Sequence, residues 1–433
     1  TKYAVMITDP KQIVYEMEKA LYLAQTGRKG PVWIDVPLDI QNMRVRPEEL
    51  EHFVTENGSN YDPLPEDIQY VSKVLRDSNR PAILIGSGIW SADAVRDLEV
   101  FLAKYPIPVT YAGSAPDTYG LDNPLSIGSV GTMGCSRAGN FTVQNSDLLL
   151  VLGCRLSPMT VGSDCDKFAR AAKIVVVDID RVEHSKNNVK IDRLIIADVK
   201  KFLTSLMDED TKRADEEWRN KCLHWKHIFP KCEGKYKTSE KVDLYYLAEC
   251  LSEALPVDSV FLSDSGLVEV ILPTNISFKK SQRCIHPASQ GAMGVALPGL
   301  VGAHYASDRP VIAVVGDGSI MMNLQELETI RYNKIPAKIF VISNNAYAVI
   351  RKRQVELFRS RTIGTDPGNG VGCPNFKKVA EGFEIPYVRI DSSLDLQQKL
   401  KSVIEMDGAV LCEISGLENQ EFIRSSHARD SKR

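Results

Sequence analysis

The 433 residues leave room for two or three domains, and a 43% hydrophobic content is enough to build cores, so disorder of the bulk is excluded. The 53 Lys+Arg and 56 Asp+Glu leave a net charge of −3, which gives no basic footprint for nucleic acid. The longest apolar runs, such as Val311–Val315 and Ile339–Ile342, have strand length and are too short to span a bilayer.

TKYAVMITDP carries no signal-peptide pattern. The 9 cysteines are scattered without a CxxC pair, which argues against a disulfide framework and for a reducing cytoplasm. Short Val/Ile-rich strands alternate with helix-period segments, so the expected class is α/β, with parallel sheets in three-layer domains.

In residues 1–45, Asp9 reads as an N-cap before Pro10. Ile13, Met17, Ala20, Leu21 and Ala24 share one helical face, Gly27 closes the helix, and a strand follows at Pro31–Val36. One helix and one strand cannot enclose a core, so this block reads as the end of a truncated domain. Residues 46–65 form a linker. Residues 66–205 form a central domain with strands Ala82–Ile85, Leu148–Leu152 and Ile174–Val177. Residues 206–240 read as a charged connector. Residues 241–415 run from helix Leu244–Leu255 through strands Val260–Leu262, Val311–Val315 and Lys338–Ile342 to Val410–Ile414. A polar tail, 416–433, with Arg424, Arg429, Lys432 and Arg433, reads as mobile or partner-facing.

The stretch 311–350 carries the chemistry. A buried strand ends at Val315, and Gly316-Asp317-Gly318-Ser319 turns into a helix with Leu324, Leu327 and Ile330 broadly on one face. A second strand reaches Ile342 before Asn344-Asn345. A right-handed βαβ crossover sets the two carboxyl-end loops side by side. The glycines let backbone N–H groups approach an anion at a helix N-terminus. Asp317 and Asn344 offer the hard oxygen ligands that Mg²⁺ prefers beside ligand phosphates. The chemistry read from this pattern is a diphosphate held through a divalent metal. No Gly-Lys-Ser/Thr pattern of an ordinary ATPase is present.

With Asn344 27 residues beyond Asp317, GDGS…NN resembles the diphosphate–magnesium motif of thiamine diphosphate enzymes of the acetolactate synthase and pyruvate decarboxylase group. The likeness runs along the chain. GRKGPVWIDVPLDIQ resembles the end of that group's pyrimidine-binding domain, and RPAILIGSGIW and NSDLLLVLGCRL resemble its central domain. ASQGAMGVALPGLVGAHYA resembles the loop and helix that hold thiamine.

The resemblance implies roles residue by residue. Asp317, Asn344 and the Ala346 carbonyl would bind Mg²⁺; Asn345 is the adjacent candidate, but the spacing from Asp317 favours Asn344, and the alternative role for Asn345 is to cap the loop. Gly318, Ser319, Tyr347 and the turn Ser265-Gly266-Leu267 would contact the diphosphate. The Gly291 carbonyl would accept a hydrogen bond from the aminopyrimidine. Met293 would wedge the cofactor into its folded shape. The activity implied is a carboligase or decarboxylase acting on a 2-oxo acid, in a homodimer or homotetramer without membrane or nucleic-acid partners. Rival readings are a simple decarboxylase or aldehyde lyase, and a silent thiamine-binding subunit.

Two departures matter. Gly266-Leu267-Val268 stands where acetolactate synthases usually show Gly-Gln-His, which argues against acetolactate formation itself. The family's activating glutamate lies on a segment resembling His-Glu-x-x-Ala early in the pyrimidine-binding domain. Glu16, Glu18, Glu48, Glu49 and Glu51 all lack that context, so no catalytic residue is assigned and the chain alone is expected to do no thiamine chemistry. Some members hold FAD in the central domain. Gly86-Ser87-Gly88 lacks the third glycine of a dinucleotide fingerprint, having Ser91 there, and favours its absence. Cys222, His224, His227 and Cys232 fit no zinc spacing and read as part of a solvated helix. His286 is placed either to face substrate or to cap the Gly291 loop.

Overall fold

A computed structural model of the chain describes residues 1–55, 61–120, 122–186, 188–211 and 213–423. Part of the linker (56–60) and the basic tail from Arg424 through Arg429, Lys432 and Arg433 lie outside the described residues.

The α/β class with parallel sheets is what the chain adopts. Among the described residues, two sheets have 6 strands each. The first runs Ser126–Val130, Val109–Ala112, Pro81–Ile85, Leu148–Leu152, Lys173–Asp178, Arg193–Ile196, all parallel. The second runs Arg283–Ile285, Val260–Ser263, Val311–Gly316, Lys338–Ser343, Val410–Ser415, Tyr387–Ile390, also parallel. Helices cover both faces of each sheet, which is why the strands read as continuous apolar runs rather than alternating ones.

Alternation appears instead in the destination of successive side chains. Ile83 and Ile85 enter one core while Ala82 and Leu84 enter the opposite one. Ile312 and Val314 likewise part from Val311, Ala313 and Val315. Each fully buried Val, Leu or Ile side chain among these contributes roughly 1.5–3 kcal/mol.

In residues 1–45, a strand at Tyr3–Met6 accompanies Val32–Asp35 in a parallel pair, preceding helix Ile13–Gln25 in sequence. Of the expected apolar face, Ala20 is buried, but Met17 and Leu21 are exposed. The connector is not a solvated helix throughout. Glu216–Ile228 buries Trp218 and Cys222 in the first core, and the Trp218 indole N–H donates to the Pro81 carbonyl at 2.9 Å. His224 and His227 lie on its exposed face.

The helix expected after Ser319 is interrupted. A 3₁₀ segment, Ile320–Asn323, precedes helix Glu326–Tyr332. The Asn323 amide reaches the Gly294 carbonyl at 2.7 Å, which holds this turn against the neighbouring loop. Leu327 and Ile330 are fully buried and Leu324 only partly.

Strand order decides where a ligand can enter. From Ser263 the chain proceeds to Arg283–Ile285 on one side of Val260–Ser263, whereas Val311–Gly316 lies on the other side and leads outward from there. The loops that follow Ser263 and Gly316 therefore diverge and leave a crevice between them, at the switch point where open α/β sheets bind ligands.

Candidate functional site

Gly316 of one strand pairs with Ile342 of the next, so the loops that follow stand side by side. Asp317 is buried between them. One carboxylate oxygen accepts the N–H of Gly318 at 2.8 Å; the other accepts those of Asn344 at 2.8 Å and Asn345 at 2.6 Å. Burial pushes the Asp317 carboxyl up, while these backbone donors pull it back. The Asn344 side-chain oxygen accepts the Ala346 N–H at 3.1 Å, and Asn345 takes the left-handed conformation at φ 55°. The loop is thus turned by its own asparagines.

The opposite wall is organised by Asp264. Its carboxylate accepts the N–H of Ser265 at 2.8 Å, Gly294 at 2.9 Å and Ala296 at 2.8 Å. This binds the loop carrying Gly291 and Met293 to the turn Ser265-Gly266-Leu267. Gly291 and Gly294, at φ 61° and 85°, bracket Met293, and a Cβ on Gly294 would stand 2.5 Å from that of Met322. Met293 is consequently presented outward, 37% exposed.

The residues the sequence assigned to cofactor and metal line one cavity of about 380 Å³: Ser265, Gly266, Leu267, Gly291, Met293, Asp317, Gly318, Ser319, Asn344, Ala346 and Tyr347. Gly316 and Gly266 open directly onto free space, with nothing within 4 Å of where a Cβ would sit. Gly318 differs, because its missing Cβ makes room for the Tyr347 ring.

The donor set suits a hard divalent cation. Asp317 and Asn344 supply oxygens beside an open cavity, few enough to leave coordination places for phosphate and water. A cation there would also offset the buried Asp317 charge. Among the described residues, no group of 3 or more His, Cys, Asp or Glu could make an all-protein metal cage.

Sequence reasoning missed Asp264 and Glu269. Glu269 lies on helix Leu267–Asn275, whose remaining residues are uncharged, and it lines the cavity. A lone carboxylate in LVEVILPTN was the available signal. Burial and the neighbouring Asp264 charge push Glu269 up to about 7. His286 opens onto an adjoining cavity of about 520 Å³ that shares Glu269 and Gly291 with the first.

Elsewhere, Glu16 is hydrogen-bonded to the Tyr3 hydroxyl, and Glu18 accepts from the Phe53 N–H and contacts His52; neither lines this cavity. Gly86 and Gly88 pack against the Gly153 backbone, where Cβ atoms would come within 2.4 and 2.6 Å of it. Their glycine requirement is thus met by loop packing within the central domain.

Residues 264–414 match the thiamine pyrophosphate enzyme C-terminal TPP binding domain, and residues 68–206 match the central domain of the same enzymes. The chain is 30% identical over 431 residues to acetolactate synthase 1, chloroplastic, of Zea mays, covering 96% of this chain and 66% of the maize protein. It is 30% identical over 434 residues to the acetolactate synthase large subunit of Porphyra purpurea, covering 97% and 71%. With acetolactate synthase isozyme 1 large subunit of Escherichia coli (strain K12) it shares 29% over 419 residues, covering 96% and 72%. The chain spans about two thirds of the length of such relatives. No helix among the described residues is long and apolar enough to cross a membrane.

Proposed function

The chain belongs to the thiamine pyrophosphate enzymes, and on that premise we propose that it binds thiamine diphosphate through Mg²⁺ in the switch-point cavity and acts on a 2-oxo acid. The observation that carries this reading is convergence. The turn at 265–267, the loop at 291–293 and the paired loops at 317–319 and 344–347, far apart in sequence, meet on one cavity.

Asp317, Asn344 and the Ala346 carbonyl would hold the metal. Gly318, Ser319, Tyr347 and the turn Ser265-Gly266-Leu267 would receive the diphosphate. The Gly291 carbonyl would accept the aminopyrimidine's hydrogen bond, and Met293 would fix the angle between the two rings. When bound, the cofactor supplies the carbanion chemistry that lets a 2-oxo acid lose CO₂. The protein's share is orientation and exclusion of water.

Of the reactions open to this family, we infer a carboligase or decarboxylase of the acetolactate synthase type. Leu267 and Val268 are buried and line the cavity, so its diphosphate side is apolar where acetolactate synthases usually carry Gln-His. Oligomer formation belongs to the same proposal, as does a reducing, cytoplasmic setting for the free cysteines. FAD forms no part of it.

Product analysis tests the reading. The full-length protein, given thiamine diphosphate, Mg²⁺ and pyruvate, should release CO₂, and an added acceptor aldehyde should divert product to a hydroxyketone if it ligates. Cofactor retention without CO₂ release from any 2-oxo acid would identify a silent subunit instead.

A further inference from the structure

The binding scheme leaves Glu269 without a role at the boundary of the two cavities. Its Oε2 lies 3.4 Å from where a Gly291 Cβ would sit, close to the carbonyl assigned to the aminopyrimidine. His286, directly after strand Arg283–Ile285, faces it with Nδ1 4.0 Å from Glu269 Oε1. Its side chain is only 7% exposed. Neither ring nitrogen has a well-formed hydrogen bond, the Gly113 backbone approaching only loosely. A buried imidazole so poorly partnered is costly in a folded core, and packing does not account for it.

We propose that Glu269 is a catalytic acid–base group serving the reacting 2-oxo acid, with His286 as its positioning partner on the side of the second cavity. The inference rests on the thiamine diphosphate reading. The 4.0 Å gap is closed by one water or a small rotamer change.

Burial and the charge of Asp264 push Glu269 up to about 7, and burial pushes His286 down to about 4. Between those limits the pair carries one proton, on the carboxyl. The other titratable groups near the pair are Asp264, just before the helix that carries Glu269, and Arg28, Arg155 and the buried thiols of Cys135 and Cys154, which line the second cavity. In the step proposed, the Glu269 O–H bond breaks as its proton passes to a lone pair on a substrate oxygen where negative charge develops. The carboxylate left behind takes a proton from buffer acid entering through the second cavity.

The test uses the full-length protein with thiamine diphosphate, Mg²⁺ and pyruvate, over pH 5.5–9. Wild-type kcat should fall above a single ionisation near 7. Glu269→Gln should cut kcat by about a hundredfold or more and abolish that limb, with cofactor affinity by titration calorimetry nearly unchanged. Glu269→Asp should restore the limb in part. His286→Leu removes a donor to the carboxylate and should move the limb to higher pH by about half a unit or more.

Infrared spectra without substrate supply a readout independent of turnover. A protonated-carboxyl band should titrate near 7 and vanish in Glu269→Gln. Cofactor binding together with an unchanged limb in Glu269→Gln, or a band titrating in the ordinary glutamate range, would overturn this proposal alone. Failure of the wild type to bind thiamine diphosphate would overturn the functional reading and this inference with it.

Discussion

The Asp317 carboxylate accepts the backbone N–H of Asn344 at 2.8 Å although 27 residues separate them in the chain. The contact crosses between the ends of two neighbouring parallel strands, so it reports their register as well as their loops. It also orients the carboxylate. Backbone donors occupy part of both oxygens, and the lone pairs left over are what a cation in the cavity that Asp317 lines would use.

Asp317→Asn keeps the volume and one acceptor but removes the charge. Thiamine diphosphate affinity in the presence of Mg²⁺ should fall at least about 100-fold, the upper end of what even outer-shell metal partners cost. Binding that remains should no longer respond to EDTA. Titration calorimetry on both proteins checks this, with circular dichroism to confirm that the variant folds. Equal affinities would remove Asp317 from the metal site.

The sheets and the cavity were legible in the sequence for a physical reason. Strands covered on both faces must be apolar throughout, and Leu148–Leu152 or Val311–Val315 announce themselves that way. Ser126–Val130 is fully buried yet reads SIGSV, and Arg283–Ile285 and Tyr387–Ile390 are short edge strands, so none gave a signal. The motif at 316–319 identified one wall because its glycines and oxygens lie in sequence. The role of Asp264 was invisible, since it depends on N–H groups 30 and 32 residues away. Sequence patterning likewise expected one helix after Ser319, where a tie from Asn323 to the Gly294 carbonyl accompanies a 3₁₀ turn.

Gly316 and Gly318 are separated by one residue and should respond oppositely to alanine. A Cβ on Gly318 would come 2.0 Å from the Tyr347 ring, so Gly318→Ala must displace that ring and cost about 1–3 kcal/mol of stability. A Cβ on Gly316 meets nothing within 4 Å, so Gly316→Ala should fold as well as wild type while its methyl enters the cavity. Cofactor affinity should drop in both. Chemical denaturation alongside calorimetry separates the cases, and a destabilised Gly316→Ala would show that the space beside it is not free.

Met293 stands at the cavity, 37% exposed and bracketed by two left-handed glycines, so little packing depends on it. Met293→Ala should leave cofactor affinity within a few-fold, because the proposed metal ligands and the diphosphate contacts at Gly318, Ser319 and Tyr347 lie on the other wall and the turn at 265–267 is held by Asp264 rather than by Met293. Turnover should fall by about two orders of magnitude, as expected when reacting groups are misplaced by about 1 Å. Steady-state kinetics at saturating cofactor decides it, and unchanged kcat would return Met293 to a packing role.

Glu269 and His286 should also mark the pH dependence of folding, with opposite signs. The Glu269 carboxyl rises from 4.5 to about 7 on folding, so the native state holds the extra proton between those values. That contribution is fully present below pH 4.5 and is lost as pH rises through about 7. His286 falls from 6.5 to about 4, so its contribution is present above 6.5 and is lost as pH drops toward 4. Where the two windows overlap they largely cancel, and above about 7 the carboxylate's burial is uncompensated. The rise of Glu269 corresponds to about 3 kcal/mol at complete burial, and to about 2 kcal/mol after allowing for residual solvent contact. Glu269→Gln has no charge to bury, so its stability relative to wild type should grow by about that amount between pH 5 and 8. Denaturant unfolding at pH 5, 6, 7 and 8 measures the difference directly. Parallel curves for the two proteins would mean that Glu269 ionises at its ordinary value.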